Sequence, residues 1–325
     1  MPDRPPLIVS CSGGKDSTAV ALHLREIGMP PTHAVFMDTG WEERRTLAYV
    51  RDVLPDVLGM EVTWLRASVA LPTDPALAAV VSECEAILGH ESPMVRLVIR
   101  KGMFPIRQIR WCTELLKTTP FFDWCLRTFN GMPVANATGI RAEESAARRD
   151  LPEFAPLLDR SIRGKWAPLV SSVLQWRPIL RWTLDDVIAI HRRHNVRPNP
   201  LYLEAEASRV GCWPCIHAKK SEIRRIAEHD PARIEVIRIL ERAATSIARR
   251  RIEARGEVFE NPPAFFQSRT GTLEDGRHDG RCIPIDEVVD WSKTSRGGRQ
   301  FEMFAPTESE SGCMRWGFCE AQSDS

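Results

Sequence analysis

The run Ser12-Gly13-Gly14-Lys15-Asp16-Ser17 sets two glycines, two hydroxyls and a lysine between an apolar stretch, LIV, and a helix-like segment, STAVALHLREIG. Glycines at a strand-to-helix junction let the backbone approach an anion closely, and the free N–H groups and dipole of a helix start favour negative charge there. A phosphate suits that position, with Lys15 as a point charge on an outer oxygen and the Ser12 and Ser17 hydroxyls as further donors. Asp16 reads as a first-turn helix residue or a ligand on the magnesium side, rather than as a nucleophile. The run lacks the four-residue spacer and Gly-Lys-Ser/Thr ending of a nucleotide-hydrolysing P-loop, so it predicts some phosphate chemistry other than γ-phosphate transfer.

Sulfur is the second chemical resource. Nine cysteines, an odd number with no secretory signal, point to reduced thiols, metal ligands or catalysis rather than a disulfide framework. Cys212 and Cys215, in GCWPCI, have metal-ligand spacing, and a closed site needs two more ligands. Cys112 in RWCTELLK is one candidate; Cys319, then Cys313, both in GCMRWGFCE, are the others. Three readings stay open: a 4Fe-4S cluster, structural zinc (Zn2+), or a redox-active thiol pair or plain buried cysteines. Cys11, Cys84, Cys125 and Cys282 are expected in the last class, and His191, His194 and His217 are expected to be ordinary helix or loop residues. Arg141 and Arg148 offer planar, permanently charged forks for a tetrahedral oxyanion, Arg141 just after a glycine turn at Gly139. The basic segments 96–110 and 246–255 read as solvated helix faces or as contacts to a nucleic-acid backbone.

These residues need a scaffold. Three short apolar runs, 7–12, 33–39 and 61–67, alternate with segments of helical spacing at 16–28 and 42–58, which predicts βαβ units on a parallel sheet. Residues 75–130 read as mostly helical with an interruption at Pro120, and 133–141 and 174–182 as further strands. Thr183, with an acid three residues on, opens a helix that VRPNPLY ends. Residues 221–255 are helical again, and past about 260 the composition turns irregular around one short helix near 286–292. The fold expected is a doubly wound, Rossmann-like parallel α/β sheet over 1–220, its ligand at the carboxyl ends of the strands, followed by a helical and irregular extension over 221–325. Lys and Arg (44) balance Asp and Glu (43), so global charge names no partner. Without a signal peptide or about 18 uninterrupted apolar residues, a soluble cytoplasmic protein with no membrane partner is expected.

Ser12–Ser17 resembles the pyrophosphate loop of the adenine nucleotide α-hydrolase (PP-loop) superfamily, which includes ATP pyrophosphatases, tRNA thiolases and sulfonucleotide reductases. The resemblance implies that the loop holds the β,γ-pyrophosphate of ATP as a leaving group while chemistry occurs at the α-phosphorus. FMDTGWEERRTLAYV (36–50) looks like the superfamily's second strand and turn, which implies that Asp38, Thr39 and Gly40 lie near the nucleotide. ATGIRAEESAARRDLPEF (137–154) is similar to the Gly-Ile-Arg, Glu-Ser and Arg signature of the 3′-phosphoadenylyl-sulfate (PAPS) reductase subfamily, and RPILRWTLDDVIAIHRRHNVRPNPLY to its later motifs. Together these cover about residues 7 to 220.

The resemblance thus implies an adenine-nucleotide site of Ser12, Gly13, Gly14, Lys15, Asp16, Ser17, Asp38, Thr39, Gly40, Gly139, Arg141 and Arg148, with Lys15, Asp16 and Arg141 in catalysis. Iron-sulfur adenylyl-sulfate (APS) reductases and DNA phosphorothioation pyrophosphatases hold a cluster with cysteines from places comparable to Cys112, Cys212, Cys215 and Cys319. The reductases have a Cys-Cys pair before a Lys…Pro segment, whereas Cys112…Lys117…Pro120 has one cysteine. The implied activity is cleavage of ATP, with Mg2+, to adenylylate an acceptor such as DNA or RNA. A sulfur nucleophile, from the cluster, a persulfide or a donor such as a cysteine desulfurase, then displaces AMP. The alternative is reduction of APS or PAPS to sulfite, although ESGCMRWGFCE stands where those reductases carry Glu-Cys-Gly-Leu-His. A non-catalytic nucleotide- and cluster-binding subunit is the third reading.

Overall fold

The computed structural model describes residues 4–106, 109–157, 164–169, 172–203, 207, 209–267, 282–294 and 316. Six strands form one sheet in the order β3-β2-β1-β4-β6-β5: β1 (Leu7–Cys11), β2 (His33–Asp38), β3 (Val62–Arg66), β4 (Val134–Ala137), β5 (Phe154–Pro156) and β6 (Val173–Trp176). All neighbours are parallel except β5, which runs antiparallel along the outer side of β6. The five strands expected from sequence are present. The sixth, β5, is three residues long and ends in Pro156, which a sheet tolerates at its edge because the missing N–H faces no partner.

Side-chain alternation along β1 sorts its residues onto two covered faces. Val9 packs with Ala19, Val20 and Leu22 of helix α1 (Lys15–Glu26) and with Val187 and Ile190 of the Leu184–Arg193 helix. Ile8 packs on the other face with Phe121, Phe122 and Cys125 of the Thr119–Phe129 helix. The Leu184–Arg193 helix starts as its sequence dictates: Asp186 N donates to Thr183 Oγ1 (3.2 Å) and Thr183 N donates to Asp186 Oδ2 (2.7 Å), a reciprocal cap.

Pro120 does not interrupt the helical run as expected. Trp111–Thr113, a π turn over Glu114–Thr118 and Thr119–Phe129 follow one another without a gap. The wide turn comes just before the proline, so Pro120 stands at the start of the next α-segment, where its missing N–H costs least.

A third core lies beyond the sheet. Val81 and Cys84 of the Pro75–Leu88 helix and Val95 and Val98 of Pro93–Lys101 pack on Val236, Ile237 and Leu240 of the long Pro231–Glu253 helix. Trp41, Trp111 and Trp213 belong to the same cluster, as do residues of the Lys220–His229 and Ile285–Ser292 helices. Cys11, Cys84 and Cys125 are buried, and burial pushes each thiol up to about 12; Cys282 is only half-buried. Among the described residues no helix is long and apolar enough to cross a membrane.

Candidate functional site: a pyrophosphate loop beside a cysteine turn

The chain leaves β1 toward β2 on one side and leaves β4 toward β6 on the other. A crevice therefore opens at the carboxyl ends of β1 and β4, the place where open α/β sheets bind ligands. Ser12–Ser17 lines one wall. Gly13 sits at φ 70°, and a Cβ there would stand 2.9 Å from methyls of Thr46 and Val50, so both conformation and space demand glycine. Ser17 Oγ donates to Gly14 O (2.9 Å) and accepts from Ser12 N (3.2 Å), while Ser12 Oγ accepts from Gly14 N (3.3 Å). No side chain caps α1 through Gly14, which leaves its first turn suited to an anion.

Three residues far along the chain grip this loop from behind. Asn199 Nδ2 donates to Gly13 O (3.1 Å) and Thr46 Oγ1 (3.2 Å), and Lys15 N donates to the Tyr202 hydroxyl (3.4 Å). The His191 ring places Nε2 3.0 Å from Lys15 O and Nδ1 3.0 Å from Val196 O. His191 is thus more than the ordinary helix residue its sequence suggests. The signal for Asn199 and Tyr202 was the RPNPLY stretch itself, which names no contact. Burial holds the His191 imidazole below its ordinary pKa, against the raising effect of the Lys15 and Val196 carbonyls, and lifts the Tyr202 hydroxyl well above its own.

Lys15 is buried, its Nζ 4.7 Å from the centre of the Tyr202 ring and 3.3 Å from Asp16 Oδ2. Opposite, the turn after β4 passes directly against α1: a Cβ on Gly139 would stand 2.6 Å from the Asp16 carbonyl carbon and 2.7 Å from Ser17 N. That approach brings Arg141, 4% exposed, onto Asp16, with Nε 2.6 Å from Oδ1, and its other end pairs with Glu143. Lys15, Asp16, Arg141 and Glu143 form a line of alternating charge. Arg148 lies apart from that line, paired with Glu144 on a partly exposed surface.

At the end of β2, Asp38 Oδ1 accepts from Gly40 N (2.8 Å) and Oδ2 accepts from Arg66 Nε (2.8 Å). Thr39 Oγ1 donates to Glu42 Oε1 (2.7 Å), and Glu42 Oε2 accepts from Thr39 N and Trp41 N at 3.1 Å. This turn is fused to the cysteine turn. Trp213 N donates to Trp41 O (2.9 Å), Trp41 Nε1 donates to Pro214 O (3.0 Å), and Glu42 bridges Cys212 as an antiparallel pair.

Cys112, Cys212 and Cys215 are half-buried and within electrostatic reach of one another and of Lys117. The negative charge of Cys212 in its thiolate form is the chief cause raising the Lys117 pKa, with Glu42 and the Cys215 and Cys112 thiolates adding to it against the lowering effect of burial. Burial pushes Cys212 up to about 11 and raises Cys112 as well. Among the described residues no three ligating side chains are gathered tightly enough to hold an ion, and Cys313 and Cys319 lie outside the described residues. The surroundings nevertheless fit an anionic, sulfur-ligated group. The indole N–H groups of Trp111 and Trp213, chain neighbours of Cys112 and Cys212, are buried without a hydrogen-bond partner among the described residues, as are Nε and Nη1 of Arg233. Such orphaned donors cost about 1–3 kcal/mol each, and donors of this kind are what thiolate-bound clusters take up.

Residues 6–68 and 96–218, more than half of the chain, match the phosphoadenosine phosphosulfate reductase domain. The protein therefore belongs to the phosphoadenosine phosphosulfate reductase family. An uncharacterised 37.8 kDa protein of Escherichia phage 186 is 31% identical to it over 348 residues, 96% of each chain. The adenosine 5′-phosphosulfate reductase of Streptomyces coelicolor is 28% identical over 69% of this chain and 75% of its own. The crystal structure of the phosphoadenylyl-sulfate reductase of Candida auris, in a phosphate complex, superimposes with a TM-score of 0.42 at 17% identity, covering 65% of this chain and 82% of that one.

Proposed function

We propose that the protein is an ATP pyrophosphatase acting in sulfur transfer, cleaving ATP at the α-phosphorus to adenylylate an acceptor, DNA or RNA. The observation that carries the reading is the complete loop, a glycine crook opening onto the start of α1 with Lys15 buried beside it. In this reading the β,γ-phosphates enter the crook, and Lys15 leaves the Tyr202 ring for the bridging and outer oxygens. An acceptor oxygen attacks the α-phosphorus, the bond to the bridging oxygen breaks, and its electron pair departs on pyrophosphate. Lys15 and the loop N–H groups stabilise that developing charge. Arg141, fixed by Asp16 and Glu143, holds a non-bridging oxygen of the reacting phosphate. Mg2+ beside Asp16 would neutralise the triphosphate. The terminal sulfur of a persulfide on a donor such as a cysteine desulfurase then displaces AMP, and an external thiol reductant supplies the two electrons that cleave the S–S bond to the donor, leaving sulfur on the acceptor. A 4Fe-4S cluster on Cys112, Cys212 and Cys215, with Cys319 or Cys313 as fourth ligand, would supply sulfur or electrons; zinc on the same set would be structural instead.

A second reading, reduction of APS or PAPS to sulfite, is favoured by the Streptomyces relative. Incubating anaerobically purified protein with ATP, APS or PAPS and identifying the products separates the two. We expect pyrophosphate from ATP, reduced about 10²- to 10³-fold in Lys15→Ala, the loss typical of removing one donor to a developing charge. Sulfite from APS in the presence of a thiol reductant, with ATP left intact, would establish the second reading and sink the first.

A further inference from the structure

Trp316 is the described residue nearest the carboxyl terminus, and it is only 4% exposed. Its indole packs with Ile188 of the Leu184–Arg193 helix and with Tyr202, and Leu184, Leu203 and Val210 pack against the three. The ring stands edge-on to His191 with centres 5.3 Å apart and tilted to Tyr202 at 6.0 Å. The Trp316 carbonyl accepts from Arg192 Nε (2.9 Å), which fixes the backbone at the same helix. His191 and Tyr202 are the two side chains on which Lys15 rests. The first meets its carbonyl; the second meets its N–H and, through the ring face, its Nζ. One indole from far along the chain therefore touches both supports of the loop lysine, and close packing limits how far either ring can shift.

We propose that Trp316 is a positioning residue for the pyrophosphate loop, holding His191 and Tyr202 where they keep the Lys15 backbone in the shape that a nucleotide's phosphates require. The proposal rests on the reading of Ser12–Ser17 as the nucleotide-binding loop. A loop already in its binding shape loses no affinity to ordering, whereas one that adopts the shape only part of the time binds more weakly by that fraction. The effect of Trp316 passes through the two rings, so it should shrink when one of them is gone.

Titration calorimetry of the full-length protein with the α,β-methylene analogue of ATP, whose bond beside the α-phosphorus does not break, and separately with APS, tests this. Trp316→Ala should weaken the ligand that binds about 10-fold, as when the competent loop shape falls to about one-tenth of the molecules. Trp316→Phe, which keeps an aromatic ring against both neighbours, should recover most of that loss. In a Tyr202→Leu background, itself weaker in binding, Trp316→Ala should cost clearly less than in the wild type, because residues that act as one unit are not additive. Where melting shows the alanine variant unfolded, Trp316→Leu, a smaller excision, carries the same comparison. Wild-type affinity in Trp316→Ala, or the same loss repeated in full in the Tyr202→Leu background, overturns the proposal, as does a wild type that binds neither ligand. Binding of the ATP analogue that ignores Trp316 sinks this inference alone. Trp316-dependent binding of APS, with no binding of the ATP analogue, sinks the functional reading alone.

Discussion

Gly139 shows how a residue with no side chain can shape the site. The start of α1 occupies the space where its Cβ would be, and the crowded atoms are backbone, which no rotamer change relieves. Gly139→Ala should therefore cost about 1–3 kcal/mol and lower the melting temperature by several degrees. Titration with ATP should show weaker binding, since Asp16 and Ser17 must shift. The cysteines give a second prediction. Anaerobically purified protein should be brown with broad absorption near about 400 nm, and Cys212→Ser or Cys215→Ser should lose both colour and iron; a colourless protein with stoichiometric zinc would assign the site to zinc. The glycines, the lysine and the Cys-x-x-Cys pair were legible in sequence because their chemistry is local. Asn199, Tyr202 and His191 were not, because they act on the loop across 186, 187 and 176 residues, and nothing in an apolar pattern marks such a contact.

The Leu184–Arg193 helix illustrates the same division one level up. Its start could be read from Thr183 and Asp186, but its role as a brace for the loop depends on His191 alone reaching Lys15 O. That contact has a pH signature. Burial holds the His191 pKa below 6.5 in the folded state, so as pH falls below about 6.5 the unfolded chain binds the proton that the folded chain refuses, and stability is lost. His23 and His33, also lowered by burial, act with the same sign. Urea midpoints should therefore fall between pH 7.5 and pH 5.5, and His191→Gln should flatten part of that slope. Glu26, held at about 2 mainly by Arg193 and also by His194, adds a separate loss below its ordinary 4.5, small because the pair is exposed. Strands β1 to β4 and β6 were legible because short apolar runs stand between turn signals and helical segments, although β3 at the sheet edge leaves Thr63, Trp64 and Arg66 exposed. The three residues of β5 carry no such run, and the π turn that accommodates Pro120 has no sequence mark.

For the whole molecule, the third core matters more than its place in the chain suggests. The Pro231–Glu253 helix lies against the Pro75–Leu88 and Pro93–Lys101 helices, and its cluster includes the tryptophans flanking the cysteine turn. Helical spacing announced that helix, while its packing partners, set by non-local contacts, could not be read from it. A chain of residues 1–219 would uncover Val81, Val95 and Val98, and we expect it to aggregate and to melt without cooperativity, as size-exclusion chromatography and calorimetry would show. Trp41 ties two turns of the site together. Its peptide and indole belong at once to the turn after β2 and to the turn of Cys212 and Cys215, so neither can be reordered without disturbing the other. Thermodynamic reciprocity follows from that shared strut: whatever ligand tightens the sulfur side should raise the affinity of the nucleotide side, and by the same factor the nucleotide should favour that ligand's retention.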